Sequence, residues 1–112
     1  MIAAKPDAFQ VISDPSRRHM LQLLSKNSMT INSLVENFDM SRPAVSKHIK
    51  MMHKAGFISI TNIGRERYCT LKQDGFDELQ GFIDYFDNFW TKKLKKLETL
   101  LDNKLKSKED DK

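Results

Sequence analysis

The sequence predicts a mainly helical α+β chain with one β-hairpin, and three observations lead there. Four segments before residue 57 place apolar residues at helical spacing behind residues that cap helices well. Residues 57–71, "FISITNIGRERYCTL", then change to a period of two and are rich in β-branched and aromatic side chains. After Asp74-Gly75, one apolar stripe returns to the helical period and holds it to Leu105.

Residues 3–12 read as a short helix with Ala4, Ala8, Phe9 and Ile12 on one side. Asp14 is a good N-cap and Pro15 suits the first helical turn, so "DPSRRHMLQLLSKN" is a second helix burying Met20, Leu21, Leu23 and Leu24. Thr30 caps a third, "INSLVENF", with Ile31, Leu34, Val35 and Phe38 at helical spacing. After a short break, Ser41 caps a fourth; Pro43 lies in its first turn and Gly56 supplies its stop. Asn62 and Gly64 near the middle of the next segment read as a hairpin turn, bringing Arg65 and Arg67 to its tip. The long last helix carries Leu79, Ile83, Phe86, Trp90, Leu94, Leu97, Leu101 and Leu105 as its stripe. Residues 1–105 are thus expected to form one domain, with 106–112, "KSKEDDK", as a disordered tail.

Charge is distributed unevenly. The chain of 112 residues has a net charge of +4. Residues 40–72 contain seven basic side chains and one acidic, Glu66, whereas 73–112 contain eight basic and ten acidic. Concentrating positive charge in one internal third is what binding a polyanion requires. A solvated helix face is the commoner reason for such a run, and the asymmetry weighs against it. A single cysteine, Cys69, excludes an internal disulfide. The amino-terminal "MIAAKPDAFQVISDP" lacks the apolar run of a signal peptide, and no stretch is long enough to cross a bilayer, so a cytoplasmic protein without membrane insertion is expected.

Two short helices with a tight break, followed by a hairpin with basic residues at its tip, form the pattern of a winged helix-turn-helix. The second helix of such a motif enters the major groove of duplex DNA. Val45, Ile49 and Met52 would hold "SRPAVSKHIKMMHK" to the core, leaving Arg42, Ser46 and Lys47 for base edges and Lys50 and Lys54 for phosphate. Ser41, His48, Arg65 and Arg67 complete the candidate DNA-binding set, His48 being either a phosphate contact or a partly buried polar group.

"ISDPSRRHMLQLL", "MSRPAVSKHIKMMHKAGFI" and "GRERYCTL" together resemble the ArsR/SmtB-like winged-helix transcription regulators over roughly residues 9–72. The C-terminal "FIDYFDNFWTKKLKKLETLL" resembles a branch of that family without metal sites. The resemblance implies a homodimeric repressor that binds a palindromic operator, often that of its own operon. It also implies metal sensing in many members, from which this chain departs: "INSLVENF" has no cysteine, and the last helix has Asp74, Asp77, Asp84, Asp87 and Glu98 without a histidine. Carboxylates alone make poor zinc or copper sites, so neither metal nor cofactor is expected.

His48 and His53 are five apart and diverge on a helix, His19 reads as a surface residue, and Cys69 as a small buried hydrophobe. No carboxylate pair, phosphate loop or nucleophile with its base is visible, so no enzyme is expected. The stripe of the last helix exceeds what so small a domain covers, and a dimer through Leu79, Ile83, Phe86, Trp90, Leu94 and Leu97 with Phe9 and Ile12 is the economical use of it. A small-molecule pocket among these aromatics is the competing use. Two other functions fit a winged helix, a protein-interaction adaptor and a non-specific nucleoid protein.

Overall fold

The computed structural model describes residues 5–110, with side chains described through residue 106. Its elements are α1 (Ala8–Ile12), α2 (Pro15–Lys26), β1 (Met29–Thr30), α3 (Ile31–Glu36), α4 (Arg42–Lys54), β2 (Ile58–Ile63), β3 (Glu66–Leu71) and α5 (Asp74–Asp110). Two compact units are present, residues 1–79 and residues 80–112. A single domain over 1–105 was expected; the described residues of the second unit all belong to α5.

Side-chain caps set the helix starts. Asp7 accepts from the Phe9 amide at 2.8 Å and Gln10 reaches back to the Asp7 amide at 2.8 Å, a capping box that starts α1 at Ala8. The helix expected from residue 3 is therefore shorter, Ala4 lies outside the described residues, and the buried side is Ala8 and Val11 instead of Phe9. Asp14 and Thr30 cap α2 and α3, accepting from Arg17 and Ser33 amides at 3.0 Å each. Ser41 caps α4. Each such cap contributes about 1 kcal/mol.

α4 ends in a Schellman motif. The Phe57 amide donates to the Met52 carbonyl at 2.9 Å and Gly56 to His53 at 3.1 Å, with Gly56 at φ 82°, where a side chain would be strained. The chain leaves it directly into β2, so the wing is aimed by the end of α4.

The hairpin turn is Gly64-Arg65. Ile63 pairs with Glu66, and Gly64 takes φ 63° while Arg65 stays negative, as a two-residue type II′ loop demands. Asn62 is not in the turn; it pairs with Arg67 in the ladder. The sheet has a third strand that the sequence does not announce, since β1 pairs antiparallel with β3 through Met29↔Cys69 and Thr30↔Tyr68. Strand order is β1-β3-β2. Two residues are too few to show a period, and Thr30 carries a stronger signal as the cap of α3.

The core gathers Met20, Leu21 and Leu24 of α2, Leu34 of α3, Val45, Ile49 and Met52 of α4, and Ile58 and Cys69 of the sheet, with Phe57 fully enclosed. Burying one such aliphatic or aromatic side chain stabilises by about 1.5–3 kcal/mol. The result is a winged helix-turn-helix in residues 5–79.

α5 is helical through Asp110, five residues beyond the boundary expected at Leu105; the remainder of the expected tail, residues 111–112, lies outside the described residues. From Gln80 on, its large apolar side chains are exposed. Their spacing repeats every 11 residues, Ile83 to Leu94 to Leu105, so the stripe runs nearly straight along the helix. No helix among the described residues is long and apolar enough to cross a membrane.

Candidate nucleic-acid interface

Val45, Ile49 and Met52 are buried and anchor α4 on one side, which turns Ser46, Lys47, Lys50, His53 and Lys54 out to solvent. No acidic residue lies anywhere in α4. The helix is held in place by two polar bonds that the sequence did not reveal. Arg17 Nη1 lies 3.1 Å from His48 Nδ1, while Arg17 Nε and Nη2 donate to the Val11 and Gln10 carbonyls at 2.8 Å each. Arg42 Nη1 donates to Asn32 Oδ1 of α3. Arg17 thus ties the end of α1 to α4, and Arg42 ties α3 to the start of α4.

Arg42 lines a small concavity with Arg65, Glu66 and Arg67, and the lysines of α4 border two others, Lys50 being shared by both. Lys47, Lys50, Met51 and Lys54 border a shallow hollow of about 450 Å³ whose other wall is Lys5, Pro6 and Gln10. Lys5 was not in the candidate set; 42 residues of sequence separate it from Lys47, so no local pattern joins them. Ser46, Lys50 and His53 instead line a cleft against Arg67 of the wing. Arg42, Ser46 and Lys47 therefore do not form one patch: Ser46 faces the wing, Lys47 faces the start of the chain, and Arg42 is engaged with Asn32. Ser41 spends its hydroxyl on the cap, accepting from the Ala44 amide at 3.3 Å. His48 is half-buried, and because a guanidinium can only donate, Nδ1 accepts when the ring is neutral, which puts the ring proton of that form on Nε2. Arg65 and Arg67 are exposed, the first in the turn and the second within β3.

Local electrostatics follow from these contacts. The Arg17 backbone N–H donated to Asp14 holds that carboxyl below its usual range, assisted by the Arg17 and His48 charges and opposed by partial burial. Burial pushes the Cys69 thiol up, against a small opposing effect of Arg67, and a thiol so placed is a poor nucleophile. His19 is exposed and lies edge-on to Phe38 at 5.0 Å. Among the described residues no cluster of three or more His, Cys, Asp or Glu is positioned to hold a metal ion.

Of the residues expected at a dimer contact, Leu79 and Ile12 are half-buried, Phe9 is 37% exposed, and Ile83, Phe86, Trp90, Leu94 and Leu97 are 41–62% exposed. Phe82, Phe86, Phe89 and Trp90 form a chain of tilted or edge-to-face contacts, and Lys93 Nζ lies 5.6 Å from the Trp90 ring.

Residues 14–59, from the cap of α2 into β2, match the family described as "Bacterial regulatory protein, arsR family". The chain is 35% identical to the transcriptional repressor SdpR of Bacillus subtilis, over 73% of this chain and 96% of that one. It is 30% identical to an HTH-type transcriptional regulator of Mycobacterium tuberculosis, over 88% of this chain and 90% of the other. The crystal structure of an ArsR family transcriptional regulator superposes with a TM-score of 0.70 at 31% identity, covering 75% of this chain and 87% of its own.

Proposed function

The chain belongs to the arsR family of bacterial regulatory proteins and is a DNA-binding transcription regulator, and from that premise we propose that it acts in the cytoplasm as a homodimeric repressor of a palindromic operator. The observation that carries this reading is the exposed face of α4, cationic throughout and without an acidic residue, set beside a wing that ends in Arg65. Such a surface is complementary to a polyanion. Lys47 faces the major groove, with Ser46 at its wing-side edge; Arg42 reaches a base by exchanging Asn32 for it. Lys50, Lys54, Arg65 and Arg67 meet phosphates. His48, bonded to Arg17, positions α4. Nothing in this arrangement calls for catalysis.

The exposed stripe of α5 supports pairing with a second copy. Residues 74–90 carry five acidic side chains and no basic one, while 91–106 carry six lysines and two acids. Antiparallel pairing sets the acidic half of one helix on the basic half of the other, whereas parallel pairing opposes like charges. Two copies then read half-sites about one helical turn apart.

Selection of bound fragments from random duplex DNA, followed by titration of the winners across salt concentrations, tests the reading. A recovered palindrome is expected, bound more tightly than random duplex. Binding without preference would mark a nucleoid protein, and no duplex binding at all would mark an adaptor.

A further inference from the structure

β3 alternates its side chains across the sheet. Cys69 is fully buried, so Arg67, two residues earlier, stands on the same, helix-facing side, as does its cross-strand partner Asn62. Both wing arginines share a concavity with Glu66 and Arg42, and Arg67 alone also lines a cleft against the middle of α4. Ser46, Lys50 and His53 follow one another at four and three residues along α4, so they share the face that Arg67 covers. Between them lies a cleft of about 330 Å³ with Ile31, Ile49 and Ile60 as its floor and Ser46, Lys50, His53 and Arg67 around it.

No carboxylate lines this cleft, and the ion pair present among the described residues, Lys72 with Asp74, involves none of its members. Lys50 and Arg67 carry like charges that repel across it. Their side chains bring eight N–H donors together with the Ser46 hydroxyl and the His53 ring, and the two charged groups, which have no acceptor, disfavour a cation here. The site is confined to residues 31–67, and its rim is continuous with the outward face of α4.

We propose that this cleft is a phosphate seat, in which one phosphodiester of the bound duplex enters between α4 and the wing and is held by Lys50, His53 and Arg67. The seat rests on the duplex binding proposed above and adds His53 to it. It couples the recognition helix to the wing through a single anion, so the wing is drawn down only when the duplex is in register.

The selected duplex is remade with a neutral methylphosphonate at one backbone position at a time, and each is titrated with the wild type, His53→Gln and Lys50→Gln/Arg67→Gln. One position per half-site is expected at which neutralisation weakens the wild type about tenfold, as loss of hydrogen bonds to a charged group does. At that position the double variant should lose under about threefold, because the contact is already gone, and His53→Gln should fall between. On unmodified duplex the double variant should lower the salt slope by about two. A full tenfold loss in either variant, or no sensitive position, overturns the seat. A wild type with no preferred duplex overturns the underlying reading instead. Free phosphate is the other source of this chemistry: the His53 ring resonances should not move in millimolar inorganic phosphate, and saturable micromolar binding that displaces duplex would overturn the diester assignment.

Discussion

Arg17 Nη1 and His48 Nδ1 lie 3.1 Å apart although 31 residues separate them, and the same guanidinium holds the Gln10 and Val11 carbonyls in the last turn of α1. One side chain thereby sets the position of α4 relative to the end of α1. Removing it leaves the Val11 carbonyl and a half-buried imidazole without that donor, while the Gln10 carbonyl keeps the Ser13 hydroxyl at 2.7 Å. Arg17→Ala is expected to cost about 1–3 kcal/mol in urea unfolding, and His48→Ala about 1 kcal/mol or less. If His48 touched phosphate, His48→Gln would lower the salt slope of duplex binding; an unchanged slope is expected.

Asp14 ties stability to pH. Its folded pKa is depressed, so its unfolded form binds a proton more readily than its folded form. The stabilisation is therefore complete above the ordinary aspartate value of about 3.9 and is lost as pH falls through the lower folded value. Asp14→Asn keeps a capping side chain but removes the charge. Its urea midpoint should lie below the wild type's at pH 6 and meet it at the acid end; two parallel curves would remove Asp14 from the acid transition.

Arg42 must leave Asn32 to read a base. Arg42→Ala should weaken the selected duplex by about 1–3 kcal/mol and relax preference at one base pair per half-site. Asn32→Ala, which frees the guanidinium, should leave the preferred sequence unchanged. A selection with Arg42→Ala that returns the wild-type site would exclude Arg42 from base readout.

Trp90 is 53% exposed in the single chain and lies within the stripe that a second copy would cover. Trp90→Ala should weaken the dimer by a few kcal/mol, on the order of large aromatic truncations in packed sites. Sedimentation at micromolar concentration measures it. A full-length chain that sediments as a monomer while holding the palindrome undiminished would reject dimerisation through α5.

Operator binding should be indifferent to zinc, copper, arsenite and chelator, because Cys69 is buried in β3 and no metal-holding cluster exists among the described residues. Release by one of these ions, cancelled by Cys69→Ser, is the result that contradicts this.

Where local chemistry dominates, the sequence was sufficient. Asp14, Thr30, Ser41 and Gly56 mark their helix ends within four residues of themselves, because caps satisfy backbone groups one turn away. Burial of Met20, Leu21, Leu24, Val45, Ile49 and Met52 follows from spacing alone, since a helix with that period has one side to hide. The family resemblance rested on these same short-range features. Tertiary structure decided everything that joins distant segments. It made Met29–Thr30 a strand by supplying β3 as its partner. It joined Arg42 to Asn32, set Lys47 beside Lys5 and Lys50 between that hollow and the wing, and brought Arg67 and His53 to one cleft. A side chain's neighbours across the fold leave no mark in the residues next to it in the chain, because hydrogen bonds and charge act over a few ångströms of space and take no account of how many residues lie between.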